Sequence, residues 1–301
     1  MKPGPILITG ATGQLGMALA LQASARELAH VAVGRPDFDF DALDTVGRCV
    51  AATAPSLIVN AAAWTAVDAA ETNADAAYRA NRDGPEELAA LCRIHEIPLI
   101  HVSTDYVFDG EKGAPYVEAD PVAPLGVYGA SKEAGERAVL GSGADAIVLR
   151  TAWVFSARGK NFARTMINAA RRTGALKVVA DQRGAPTAAE DLAGAILDIV
   201  VKLRRNGWRT EYQGVFHATN TGETTWHGFA EAIFDVAALH GEARPTVTPI
   251  ATADWPTPTK RPADSRLDCT KLATIFQMTL PDWRDATHRV VTAILSQDRP
   301  T

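Results

Sequence analysis

The stretch 6–16, ILITGATGQLG, constrains this chain more than any other. A short apolar run of strand composition ends in Gly10, Gly13 and Gly16, and an Ala-rich segment of helical composition follows. Glycine at the first position permits a tight turn. At the second it lets backbone approach a ligand, and at the third it lets the helix pack close to the strand. A strand, a glycine turn and a helix in this order bring backbone N–H groups and a helix N-terminus up to a pyrophosphate. The motif is weak alone and gains weight by standing at the head of an alternating chain.

Segments 6–9, 30–33, 57–60, 99–103 and 146–150 have strand composition, and the longer Ala-rich segments 14–27, 42–52, 74–94 and 127–140 between them suit helices. Such alternation predicts an α/β fold: a Rossmann-type doubly wound parallel sheet, covered on both faces, with right-handed crossovers. After Arg150 the pattern loosens. Helices are expected at 162–172, 188–203, 226–239 (capped by Thr225) and 283–295, and a Pro- and Thr-rich loop at 246–262. The division expected is a dinucleotide-binding domain at 1–150 and a smaller, mainly substrate-binding C-terminal lobe at 151–301. Later strands near 177–180 and 215–218 should rejoin the sheet.

A chain of 301 residues, 47% hydrophobic and 22% charged, can bury a sizeable core. Its net charge of -5, without a basic stripe, argues against nucleic acid as a partner. Cys49, Cys92 and Cys269 lack metal spacing and read as reduced, packed thiols; the seven histidines form no ligand set, and His101 reads as a core residue. No apolar run reaches membrane-spanning length, and the N-terminus enters a strand directly, so the expectation is a soluble cytoplasmic protein without a metal.

The glycine turn makes Gly10, Thr12, Gly13, Gln14, Leu15 and Gly16 candidate cofactor contacts. The second strand runs into VGRPDFD, which places Arg35 where an adenine ribose would be read, with Asp37 and Asp39 behind it. An arginine there accommodates a 2′-phosphate, whereas a carboxylate favours a free 2′-hydroxyl. The implied cofactor is NADPH or NADH, with the preference open. Ala61, Ala62 and Ala63 after the third strand leave room for it. Further on, the strand 99–103 leads into Thr104 and Asp105, and Tyr128 precedes Lys132 by four positions, one face of a helix. A free phenol has a pKa of about 10, and a nearby ammonium lowers it. Tyr128 can then act as general acid in carbonyl reduction, Lys132 as its tuner and ribose ligand, and Thr104 as donor to the developing oxyanion.

These residues together resemble the extended short-chain dehydrogenase/reductase family. The longer phrases GATGQLG (10–16), VNAAAWTAVDAAE (59–71), STDYVFDG (103–110), VYGASKEAGE (127–136), LRTAWVFSARGKNF (149–162), DQRGAPTAAEDLA (181–193) and TPTKRPADSRLD (257–268) resemble its dTDP-4-dehydrorhamnose reductases, nearly end to end. The resemblance implies reduction of the 4-keto group of dTDP-4-dehydro-6-deoxy-L-mannose to dTDP-L-rhamnose, in nucleotide-sugar supply for cell-surface polysaccharide. It implies sugar contacts from Thr104, Asp105, Tyr128 and Trp153, and nucleotide or diphosphate contacts from Asn161, Arg261, Ser265 and Arg266, with an interdomain ion pair as the other reading of Arg261 and Arg266. Two departures stand out. Trp64 sits where relatives often carry Tyr or His. Some relatives form a magnesium-bridged dimer through carboxylates; Glu190 matches one position, but Ala18 and Ala293 replace the others, and alanine offers no oxygen ligand. This argues against a metal-bridged dimer and leaves monomer or homodimer open. Two other classes share the scaffold: an epimerase or dehydratase that regenerates its cofactor, and a non-catalytic subunit such as the regulatory subunit of methionine adenosyltransferase.

Overall fold

A computed structural model describes residues 2–298 of the chain. Strands β1 (Ile6–Thr9), β2 (His30–Val33), β3 (Leu57–Asn60), β4 (Leu99–Thr104) and β5 (Ala146–Thr151) alternate with helices α1 (Gln14–Ala25), α2 (Leu43–Thr53), α3 (Val67–Ala70), α4 (Ala74–Tyr78), α5 (Gly84–His95) and α6 (Val127–Gly141). Beyond them come β6 (Val154–Phe155), α7 (Phe162–Ala170), β7 (Ala175–Val179), β8 (Arg183–Gly184), β9 (Thr187–Ala188) and α8 (Ala189–Asn206). The chain then forms β10 (Gly214–His217), β11 (Thr224–Thr225), α9 (Trp226–Leu239), β12 (Thr246–Ile250), α10 (Thr270–Phe276) and α11 (Trp283–Asp298).

The central sheet is six-stranded and parallel, in the order β10-β5-β4-β3-β1-β2. Its strands are largely apolar because both faces are covered, with polar side chains such as Thr9, Asn60 and Thr151 at their C-terminal ends. Ile6, Ile8, Leu57, Val59, Ile147 and Leu149 point into one layer with α1, α8 and α10. Their neighbours Leu7, Ile58, Ala146 and Val148 point into the other layer, with α2, α5 and α6. Each such buried aliphatic side chain contributes about 1.5–3 kcal/mol relative to exposure. After β1 the chain goes to β2 on one side and then returns to β3 on the other. The crevice at this reversal, at the C-terminal strand ends, is where open α/β sheets bind ligands.

A second core lies around Phe155, Phe229, Phe234 and Trp283, between α7, α9 and α11. Three expectations need correction. The strand near 177–180 does not rejoin the main sheet; β7 pairs in parallel with β12 in a separate two-stranded ribbon over the second core, while β10 takes the edge beside β5. The 246–262 segment, expected as a loop, therefore begins with a strand. The single helix expected at 74–94 is interrupted: Pro85 cannot donate to a continuing helical ladder, and Arg79–Asp83 winds as a wider π turn between α4 and α5.

Candidate active site

The glycine turn and α1 form the floor of a cleft of about 610 Å³. Gly10 adopts φ +67°, and a Cβ there would lie 2.6 Å from the carbonyl oxygen of Ala61, so β1 and β3 approach at the switch point only without a side chain. Gly16 has a different task. A Cβ at Gly16 would fall 2.1 Å from the Gly10 oxygen, which makes it the residue that seats α1 on the turn, and it does not line the cleft. Gly13 caps α1 without a side-chain acceptor, leaving the first N–H groups of a twelve-residue helix without a side-chain partner at the cap. Thr12, Gly13, Gln14, Leu15, Arg35 and Ala61–Ala63 all border the cleft. Arg35 is exposed and makes no ion pair among the described residues. A cradle that a Cβ would fill, helix N–H groups and a free guanidinium fit a dinucleotide phosphate.

The opposite wall comes from β4 and α6. Gly129 and Gly135 let α6 press against the backbone, since a Cβ at Gly129 would meet the Tyr106 oxygen at 2.2 Å and one at Gly135 the Asn81 oxygen at 1.9 Å. Asn81 itself clamps the Trp64 backbone (2.8 and 3.1 Å) and donates to the Ser131 hydroxyl (3.0 Å), tying the turn after β3 to the helix. Tyr128 and Lys132 both border the cleft and are almost fully buried, and the Tyr106 ring meets Tyr128 edge-on at 5.4 Å. Burial pushes the Tyr128 phenol up to about 12; the adjacent Thr104 hydroxyl pulls it down and the Asp105 charge adds to the rise. Lys132 donates to the Val102 carbonyl oxygen (2.7 Å), and burial draws its own pKa down to about 8 against the upward pull of Glu136. Burial dominates at both groups, raising the phenol and lowering the amine.

Thr104 donates to Asp105 Oδ1 (3.0 Å) and accepts from the Tyr106 N–H (3.2 Å). Burial pushes Asp105 up to about 6, and the hydroxyls of Ser265 and Thr104 pull against it. Its Oδ2 is buried without a hydrogen-bond partner. Trp153 stands at φ +50°, with its indole stacked 3.6 Å from that of Trp226 and with Gly184 behind it, where a Cβ would lie 2.5 Å away. Asn161 caps α7 through Arg164 N–H (3.1 Å) and donates to Gln14 Oε1 (3.0 Å), joining the second core to the glycine turn.

Arg261, Ser265 and Arg266 are not in the cleft lining. Arg261 is held by Asp68 (3.0 Å) and Arg266 by Asp264 (2.6 Å) and Glu223, while Ser265 donates its N–H to the Arg183 carbonyl and sets its hydroxyl against Asp105. These are strap contacts, as the ion-pair reading of the arginines anticipates. The sequence assigns no site role to Tyr106 or Trp226. Trp226 opens α9, and only the fold shows that its indole stacks on that of Trp153.

A doubly wound Rossmann-type sheet whose switch-point cleft holds a glycine turn and a Tyr–Lys helix face defines a class of dinucleotide-dependent proteins. Within it, residues 4–296 match the family described as RmlD substrate binding domain. The chain is 44% identical to a dTDP-4-dehydrorhamnose reductase of Burkholderia thailandensis (97% of this chain, 99% of that protein) and 41% identical to one of Sinorhizobium fredii (98% and 99%). The solved structure of dTDP-4-dehydrorhamnose reductase from Bacillus anthracis in complex with NADP superposes with a TM-score of 0.89 at 31% identity, covering 97% of this chain and 99% of that one. The chain belongs to the RmlD substrate binding domain family.

Proposed function

We propose that this protein is an NAD(P)H-dependent reductase that converts the 4-keto group of dTDP-4-dehydro-L-rhamnose into the hydroxyl of dTDP-L-rhamnose. In this reading residues 1–150, with β10, hold the dinucleotide, and residues 151–301 mainly form the sugar-nucleotide lobe. The glycine turn and the α1 N-terminus would bind the pyrophosphate, Arg35 the adenine ribose end, and Lys132 the nicotinamide ribose. When bound, the reduced nicotinamide supplies a hydride to the carbonyl carbon. Tyr128 supplies the proton to the carbonyl oxygen. A phenol pushed up to about 12 keeps its proton until negative charge develops beside it, which suits an acid. Thr104 offers a neutral donor to the same oxygen, and Trp153, wedged against Trp226, presents an apolar face to the sugar ring.

The observation that carries this reading is the opening of Tyr128, Lys132 and Thr104 into the same cleft as the glycine turn. The family relationship supports the substrate. The test is absorbance of NADPH and NADH oxidation against a panel of nucleotide 4-keto-6-deoxy sugars, with product stereochemistry determined. Stoichiometric oxidation with the dTDP sugar is expected. Tyr128→Phe should lose about 10²–10⁴ in rate while still binding cofactor. Parental turnover by that variant, or sub-stoichiometric cofactor use, would overturn the assignment and favour a cofactor-regenerating enzyme.

A further inference from the structure

A chain of buried hydrogen bonds crosses the sheet beneath the cleft and ends at Lys132. It joins Thr9 on β1, Asn60 on β3, His101 on β4 and Lys132 on α6, none more than 2% exposed. Its direction follows from donor counting. The Ala62 N–H can only donate; it is shared between Asn60 Oδ1 (3.2 Å) and Thr9 Oγ1 (3.3 Å), and Asn60 Oδ1 also accepts from the Thr9 hydroxyl (2.6 Å). Rotating the amide would set its NH₂ against the Ala62 N–H, donor to donor. Asn60 Nδ2 is therefore the donor to His101 Nδ1 (2.9 Å). A neutral imidazole whose Nδ1 accepts must carry its proton on Nε2, and Nε2 faces Lys132 Nζ at 3.5 Å. Burial and the Lys132 charge both disfavour a second proton on His101.

An ammonium has only donors, so an N–H aimed at it is a conflict. A neutral amine has a lone pair that accepts that N–H while another of its hydrogens stays on the Val102 carbonyl oxygen (2.7 Å). The other groups around Lys132 are accounted for. Glu136, one turn along α6, pulls toward the charged form, but its oxygens are already engaged by Arg150 on β5 (2.6 and 2.9 Å) and by Ser103 on β4. Tyr128, one turn back, is a phenol whose pKa burial raises, with the Asp105 charge adding to the rise.

We propose that His101, locked as the Nε2–H tautomer by the Thr9–Asn60 pair, is a positioning residue that sets the charge of Lys132 and so the pH range over which the Tyr128–Lys132 face works. The proposal rests on the reading of Lys132 given above. It also links that charge to the Ala61–Ala63 turn, because the Ala62 N–H that orients Asn60 belongs to the backbone lining the cofactor cleft.

The tautomer is read directly from ¹⁵N-histidine-labelled full-length protein without substrate. Pyrrole-type Nε2 and pyridine-type Nδ1 resonances are expected across pH 6–9 at about neutral-imidazole shifts. An Nδ1–H tautomer or an imidazolium there would overturn the proposal. The coupling is read from the Lys132 side-chain ¹³Cε titration, assigned with Lys132→Arg. His101→Asn keeps an amide near Nδ1 for Asn60 but removes the donor facing Nζ, so the Lys132 midpoint should rise from near 8 by about one unit or more. His101→Gln returns a donor to the Nε2 position and should restore it. An unmoved midpoint in His101→Asn also overturns the proposal, and if that variant does not fold, the wild-type tautomer still decides. The alkaline limb of kcat/KM should follow the same order. Because both NMR readings need no turnover, a confirmed tautomer and midpoint shift in a protein that fails to reduce the sugar would indict the assigned reaction and leave the coupling intact.

Discussion

At the scale of single residues, one cleft is bordered by an exposed guanidinium, Arg35, and by the buried Tyr128 and Lys132. Tyr128, Lys132, Thr104 and Arg35 stand out in the sequence by type and spacing, and the fold brings all four to one cleft. The Tyr128 pKa was not legible. A Tyr-x-x-x-Lys spacing states only that an ammonium is near, whereas the balance depends on how much water the fold excludes, and here burial wins. Arg35 is the simplest residue to test. It is exposed at the end of β2, borders the cleft and has no carboxylate partner among the described residues, so its charge is available to a 2′-phosphate. Arg35→Asp replaces attraction by repulsion at that point and should weaken NADPH by about tenfold or more while sparing NADH. The ratio of the two Kd values, measured by fluorescence titration, checks this; an unchanged ratio removes Arg35 from cofactor selection.

At the scale of elements, the alternating strands and helices of the first half were readable from apolar runs and Ala-rich segments, since both faces of a parallel sheet must be apolar. Pairing was harder to see. β7 has strand composition, but nothing in ALKVV states that its partner is β12 and not β5; that choice is made by the second core, into which Val178 inserts. The π turn at Arg79–Asp83 was also hidden, although Pro85 marks the place. Its purpose appears only in the packing of α6, where Gly135 rests on the Asn81 carbonyl. Gly135→Ala therefore tests the fit of α6. Alanine favours helix by about 1 kcal/mol intrinsically, but its methyl would stand 1.9 Å from a backbone oxygen. Overpacking of that kind costs about 1–3 kcal/mol, so the variant should melt lower and should lose kcat as Tyr128 and Lys132 shift with their helix. Thermal unfolding and steady-state kinetics measure both. A higher Tm with full activity would mean that α6 and the π turn separate freely.

At the scale of the whole molecule, polar ties run between the sheet domain and the later part of the chain, and they engage the candidate arginines in this structure. Asn161 links α7 to the glycine turn, and the strap 257–268 runs back across the N-terminal half, with Thr259 hydrogen-bonded to Val67 and Arg261 paired with Asp68. The sequence could not choose between phosphate and carboxylate for Arg261, because a guanidinium suits either equally well and the partner lies 193 positions away. The fold chooses Asp68. Both side chains of this pair keep about a third of their surface in water (29% and 39%), so its worth is about 0–1 kcal/mol, screened by salt. A pair of that kind orients a strap without anchoring the fold. Asp68→Asn and Arg261→Met should then behave alike: Tm lower by no more than a few degrees, kcat retained, and KM for the nucleotide sugar raised by a similar small factor in each. If Arg261→Met alone raises that KM by about tenfold or more, the guanidinium must leave Asp68 for the substrate diphosphate, because only the arginine, and not its carboxylate partner, can bind an anion.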